Sequence, residues 1–128
     1  MNILYIDNNN FQSITRASLI EQLGKASIEL CGSFESCLEL YKNGHHDIVI
    51  IDFAIDDGAK ILEYILSIDA YQKVITLSAS NEISEIHGCE YCSKNHKKRR
   101  LMKPVPINDL INLIKDFDYY QCTHYKES

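Results

Sequence analysis

Short, nearly unbroken apolar runs alternate along this chain with longer stretches in which apolar positions recur every three or four residues. The clearest run is Asp47–Asp52 (DIVIID), where Ile48, Val49, Ile50 and Ile51 stand together and end on a carboxylate. A β-branched run of this kind suits a strand covered on both faces, as in a parallel sheet flanked by helices. Asn2–Ile6 reads the same way and also finishes on an acid, Asp7. Ser27–Cys31 alternates and reads as an edge strand, Lys73–Ser78 (KVITLS) as a buried strand ending on a hydroxyl, and Leu101–Met102 as a strand running into Lys103-Pro104.

Between these runs lie helical patterns. Phe11, Ile14, Ala17, Leu19, Ile20 and Leu23 mark the first, with three asparagines as turn and cap before it and Gly24 as its stop. Ser33 with Ser36 caps a second, carried by Phe34, Cys37, Leu38 and Tyr41 and ended by Asn43-Gly44. Asp57 or Gly58 opens a third, through Ile61, Leu62, Ile65, Leu66 and Ile68, with Asp56 and Asp57 favouring capping. A short fourth pattern spans Asn81–Ile86, and Pro106 and Asp109 open a fifth with Ile107, Leu110, Ile111, Ile114 and Phe117. Five strands alternating with five helical patterns predict an α/β fold, a doubly wound parallel sheet with helices on both faces.

In such a sheet the carboxyl ends of the strands share one rim, where ligands bind. Asp7 with Asn8, Asp52, Ser78 and Lys103 then converge from distant parts of the sequence. Two carboxylates and an amide oxygen make a hard-oxygen set of the kind Mg²⁺ prefers. A cation of that kind and the Lys103 ammonium would neutralise charge on a phosphoryl group moving onto a carboxylate. On this chemistry Asp52 is the candidate nucleophile, with Ser78 as a hydroxyl donor.

The ordered set Ile3–Asn8, Asp47–Asp52, Leu77-Ser78-Ala79 and Leu101–Pro104 resembles the receiver domain of two-component response regulators, from Met1 to about Phe117. The resemblance implies a flavodoxin-like sheet of order 2-1-3-4-5. It also implies phosphoryl transfer from a histidine kinase or phosphotransfer protein onto Asp52. Mg²⁺ would be held by Asp7, Asn8, Asp52 and the backbone carbonyl of Ala54. Ser78 and Lys103 would contact the phosphoryl group and relay its presence to the face made by the fourth helix, last strand and last helix. An unidentified downstream protein would read that face, and a homodimer through it is compatible with the resemblance. No substrate turnover beyond self-phosphorylation is expected.

Three departures stand out. Asn8 replaces the second acid, which implies weaker Mg²⁺ binding. The loop FAIDDG after Asp52 is about two residues short and lacks a proline. Arg100 occupies the position three before the lysine where a switch aromatic is common. A degenerate receiver acting as a phosphorylation-independent interaction module is therefore the alternative.

Composition adjusts this picture at the margins. At 128 residues the chain fits one domain, residues 1–118, with a tail at 119–128. A net charge of -5 argues against a nucleic-acid surface, the run Lys97–Arg100 being a local exception read as solvated charge on an edge strand. No apolar run approaches the ~18 residues of a membrane span, and a cytoplasmic protein with reduced thiols is expected. His87, Cys89, Cys92 and His96 could supply four ligands to Zn²⁺, as a second basis for an interaction module. All four come from a span of ten residues, and the simpler reading is two ordinary thiols in a polar loop.

Overall fold

The computed structural model describes residues 1–8, 11–55, 57–79 and 97–119. Five strands, β1 (Asn2–Ile6), β2 (Ser27–Cys31), β3 (Ile48–Asp52), β4 (Lys73–Ser78) and β5 (Lys98–Met102), form one sheet. Its order is β2-β1-β3-β4-β5, every neighbouring pair is parallel, and the expected doubly wound topology is met. The described helices are α1 (Phe11–Gly24), α2 (Phe34–Asn43), α3 (Gly58–Ile68) and α4 (Ile107–Lys115), followed by a 3-10 turn at Phe117–Tyr119. The helical pattern at 81–86 and the four candidate zinc ligands lie outside the described residues.

The run Ile48–Asp52 is buried at all five positions of β3. Successive side chains of a strand point to opposite faces, so β3 feeds two cores at once. Ile48 and Ile50 join Ile3, Tyr5, Ile75 and Leu77 under α1 and α4. Val49 and Ile51 join Leu4, Ile6 and Val74 under α2 and α3. β2 is the half-covered edge its alternation suggested. Among the described residues no helix is long and apolar enough to cross a membrane.

Helix α1 is rotated from the expected stripe. Ser13, Ala17 and Ile20 face the sheet, while Ile14 and Leu23 are each half exposed. Ser13 is buried because its hydroxyl donates to the backbone carbonyl of Asn8, a local partner that hydropathy does not register. The helix stops at Gly24, but the left-handed residue is Lys25 (φ 54°). Gly44, after α2, is extended, and its smallness serves space instead. A Cβ there would stand 2.7 Å from His46 Cε1 and 3.0 Å from the Leu40 carbonyl oxygen.

The largest correction concerns the basic run. The run does lie on the last strand, Lys98–Met102, but Lys98, Arg99 and Arg100 are only 8%, 6% and 9% exposed. Solvated edge charge therefore does not describe them. The guanidinium of Arg99 lies 4.7 Å over the Phe117 ring, and Arg100 Nη2 donates to Met102 Sδ at 2.8 Å. Long cationic side chains can bury their stems against a sheet, and here an aromatic ring receives the head of Arg99 and a thioether sulfur that of Arg100. Only Lys97 behaves as a surface charge, 3.9 Å from Asp118.

Asp57 stands at the N-cap of α3 but makes no side-chain cap bond, so its expected capping role is positional only. Similarly, Pro106 occupies the N-cap of α4, and Asp109 sits in the first turn as expected.

Candidate functional site

Parallel pairing brings the carboxyl ends of the strands to one rim, and the backbone there is directly stitched. The Asp7 amide donates to the Cys31 carbonyl, Phe53 to Leu77, and Lys103 to Ser78, each at 2.9 Å. Asp7, Asn8, Asp52, Ala54 and Lys103 line one cleft of about 580 Å³, together with Gln12, Thr15, Arg16 and Leu19 of α1 and with Pro104, Val105 and Ile107. Five of the residues singled out from sequence thus share a cavity. Ser78 is not among its lining residues: its side chain is fully buried, and its hydroxyl has no hydrogen-bond partner among the described residues.

Asp52 is held tightly. Its Oδ1 accepts from Lys103 Nζ at 2.6 Å and from the Ala54 amide at 2.9 Å. Both donors meet one oxygen, and Oδ2 carries no hydrogen bond among the described residues. The loop after β3 turns at once, with the Ile55 amide donating to the Asp52 carbonyl at 3.2 Å, and Ile55 buried beneath it. The shortened FAIDDG loop therefore still returns Ala54 to the cleft.

Asp7 is equally buried, at 5% exposure, and is held by a network that sequence reading did not anticipate. Its Oδ1 accepts from the Asn8 amide at 2.6 Å, and its Oδ2 from the Tyr5 hydroxyl at 3.1 Å. The Tyr5 oxygen accepts in turn from Arg16 Nη1 at 2.9 Å. Burial pushes the Tyr5 phenol up, so it remains a donor at neutral pH. Strand periodicity does place Tyr5 on the same face as Asp7, which was the available signal. Nothing along the sequence pairs Tyr5 with Arg16.

Burial raises the Asp7 carboxyl above the usual carboxylate range, and the nearby charge of Asp52 adds to the rise. An acid whose folded value is raised keeps its proton longer when folded than when unfolded. Stability is therefore lost as pH climbs from the unfolded value through the folded one. Asp7→Asn is expected to unfold at higher temperature than the parent at pH 7 without divalent cation. Its advantage should vanish on acidification below the carboxylate range, a comparison readable from melting curves across pH.

Two carboxylates that destabilise each other, beside an amide oxygen and the turn at Ala54, fit a hard divalent cation. No cluster of three His, Cys, Asp or Glu side chains occurs among the described residues, so the site rests on two acids and neutral oxygens. No family model matches the sequence, and no curated protein is similar to it.

Solved structures do match. A CheY-like response regulator receiver domain protein from Methanospirillum hungatei shares 22% identity over 91% of this chain and 91% of its own, with a TM-score of 0.72. A receiver domain protein from Clostridium thermocellum shares 21% identity over 91% of this chain and 93% of its own, with a TM-score of 0.74. A structure named adenylate cyclase, from Rhodopirellula baltica, shares 15% identity over 91% of this chain and 86% of its own, at a TM-score of 0.77. The strand order, the two helical layers and these superpositions together establish that the chain has the CheY-like fold of response regulator receiver domains.

Proposed function

We propose that this chain is a phosphoryl-accepting switch of a two-component system, modified on Asp52 by a histidine kinase or phosphotransfer protein. The observation that carries the reading is the Lys103 ammonium 2.6 Å from Asp52 in a cleft shared with Asp7 and Asn8. An Asp52 oxygen would attack the phosphorus as the bond to the donor's imidazole nitrogen breaks, leaving that nitrogen as the departing group. Lys103 and the Ala54 amide hold the carboxylate in place, and the ammonium offsets charge on the transferred oxygens. Asp7, Asn8, Asp52 and the Ala54 carbonyl would hold Mg²⁺, which supplies further charge neutralisation when bound. The buried hydroxyl of Ser78, one residue from the Asp52 ladder partner Leu77, is the remaining donor for the modified carboxylate. β5 and α4 would then carry the change to a protein partner.

Incubating the full chain with acetyl phosphate and Mg²⁺ tests this. Intact mass should show one added phosphoryl group that Asp52→Ala does not acquire. No addition at any metal concentration would leave the interaction-module alternative in possession.

The same reading assigns Asn8 the cost of a missing charge. Asn8→Asp should tighten Mg²⁺ binding by roughly fivefold or more, since one unit charge near 4 Å contributes about 1 kcal/mol even at water's dielectric constant. Without the cation, the added carboxylate should lower thermal stability. Calorimetric titration and melting in chelator read the two effects separately.

A further inference from the structure

The corner between β2 and α2 brings together two thiols that phosphoryl transfer does not use. Cys31 ends β2, Gly32 and Ser33 turn the chain, and Cys37 falls at the close of the first turn of α2. Both are buried, at 6% and 1% exposure, and their sulfurs stand 2.7 Å apart. A covalent S–S bond is about 2.05 Å. Closure therefore needs a small approach and no rearrangement of the elements that bear the two residues. They lie six positions apart, a spacing that fits no thiol motif.

We propose that Cys31 and Cys37 form a reversible disulfide site, oxidised by a peroxide and reopened by a thiol.

The environment assigns the order of events. The Cys31 thiol bonded to it holds the Cys37 thiol below its ordinary value, while the same bond and burial push Cys31 up. Cys37 also sits near the N-terminus of α2, where exposed N–H groups favour a thiolate. The Cys37 thiolate attacks one peroxide oxygen and the O–O bond breaks, giving a sulfenic acid and hydroxide. The Cys31 sulfur then attacks the Cys37 sulfur, losing its proton, and the sulfenic oxygen leaves as water. Two thiols and one hydrogen peroxide give one disulfide and two waters. A peroxide is small enough for a nearly buried sulfur, and transient, signalling disulfides are the kind found in reducing compartments.

The bond would also act on the rim. The Cys31 carbonyl accepts the Asp7 amide, so a cross-link at Cys31 fixes the β2 end against which Asp7 is positioned. The site itself does not depend on Asp52 being phosphorylated.

Both cysteines fall in one tryptic peptide, Ala26–Lys42, apart from every other cysteine. The reduced full chain is treated with hydrogen peroxide, its remaining thiols alkylated after denaturation, and the digest read by mass. That peptide is expected unalkylated and two hydrogens lighter, regaining two alkyl groups after dithiothreitol, with the melting midpoint of the oxidised chain raised by about 5 °C. Cys31→Ser should instead trap a sulfenic acid on Cys37 that reacts with dimedone. Two free thiols in peroxide-treated chain, or sulfinic and sulfonic products without a cross-link, would overturn the site. A Cys37→Ser variant that still traps a sulfenic acid, on Cys31, while Cys31→Ser traps none would overturn the assigned order.

Discussion

Lys103→Met is expected to lower the rate of phosphoryl addition from acetyl phosphate by about 10²–10³, the scale seen when one preorganised donor is taken from a developing charge. Methionine keeps most of the aliphatic stem and removes only the ammonium. The same change leaves Asp52, whose side chain is 7% exposed, with the Ala54 amide alone, across the cleft from Asp7. Removing one partner of a buried pair strands the other, and a loss of about 2 kcal/mol in folding stability should accompany the lost rate. Mg²⁺ should restore part of the stability and little of the rate, because the cation replaces charge but not the contact at Oδ1. Lys103→Arg should not rescue, since a planar fork cannot occupy the place of a single ammonium 2.6 Å from one oxygen. Labelling rates beside urea unfolding separate the two effects, and a methionine variant labelled at the parental rate would remove Lys103 from the reaction.

Ile50→Ala should cost about 3–4 kcal/mol, a large part of the roughly 5–15 kcal/mol that holds a domain together. Ile50 is fully buried at the centre of β3, between Tyr5 on β1 and Ile75 on β4. Strands on both sides and helices above leave the site little room to collapse around a missing side chain. Ile68→Ala, half exposed at the end of α3, should stay within about 0.5 kcal/mol. Urea midpoints at an unchanged slope would measure the contrast, and equal costs at the two positions would mean that β3 is not the packed centre described.

The strands β1, β3 and β4 were legible because the inner strands of a parallel sheet need continuous apolar runs, whereas the basic first half of β5 hid its burial. Ile48–Ile51 therefore announced both their burial and the rim beyond them, and Asp7, Asp52 and Lys103 followed from topology. What escaped was set by pairings between elements. Ser13 is inside and Ile14 outside because of one hydroxyl bonded to Asn8, which no hydropathy period contains. Arg99 is buried because Phe117, beyond the next helix, returns to cover it. The Tyr5–Arg16 link and the Cys31–Cys37 contact likewise join residues whose proximity arises only once strand and helix have docked. The position of Ala54 illustrates the converse, since a loop two residues short still reached the cleft by turning on the Asp52 carbonyl.

The three amides that stitch the rim, those of Asp7, Phe53 and Lys103, each stand one residue beyond a strand and carry its pairing just past the end of the ladder. Hydrogen exchange at these positions would therefore report on the strand ends that carry the cleft, which open before the centre of the sheet does. Any partner that loosens the sheet also disassembles the cleft, and any cation seated there stabilises the fold by an amount that grows with the ratio of its free concentration to its dissociation constant.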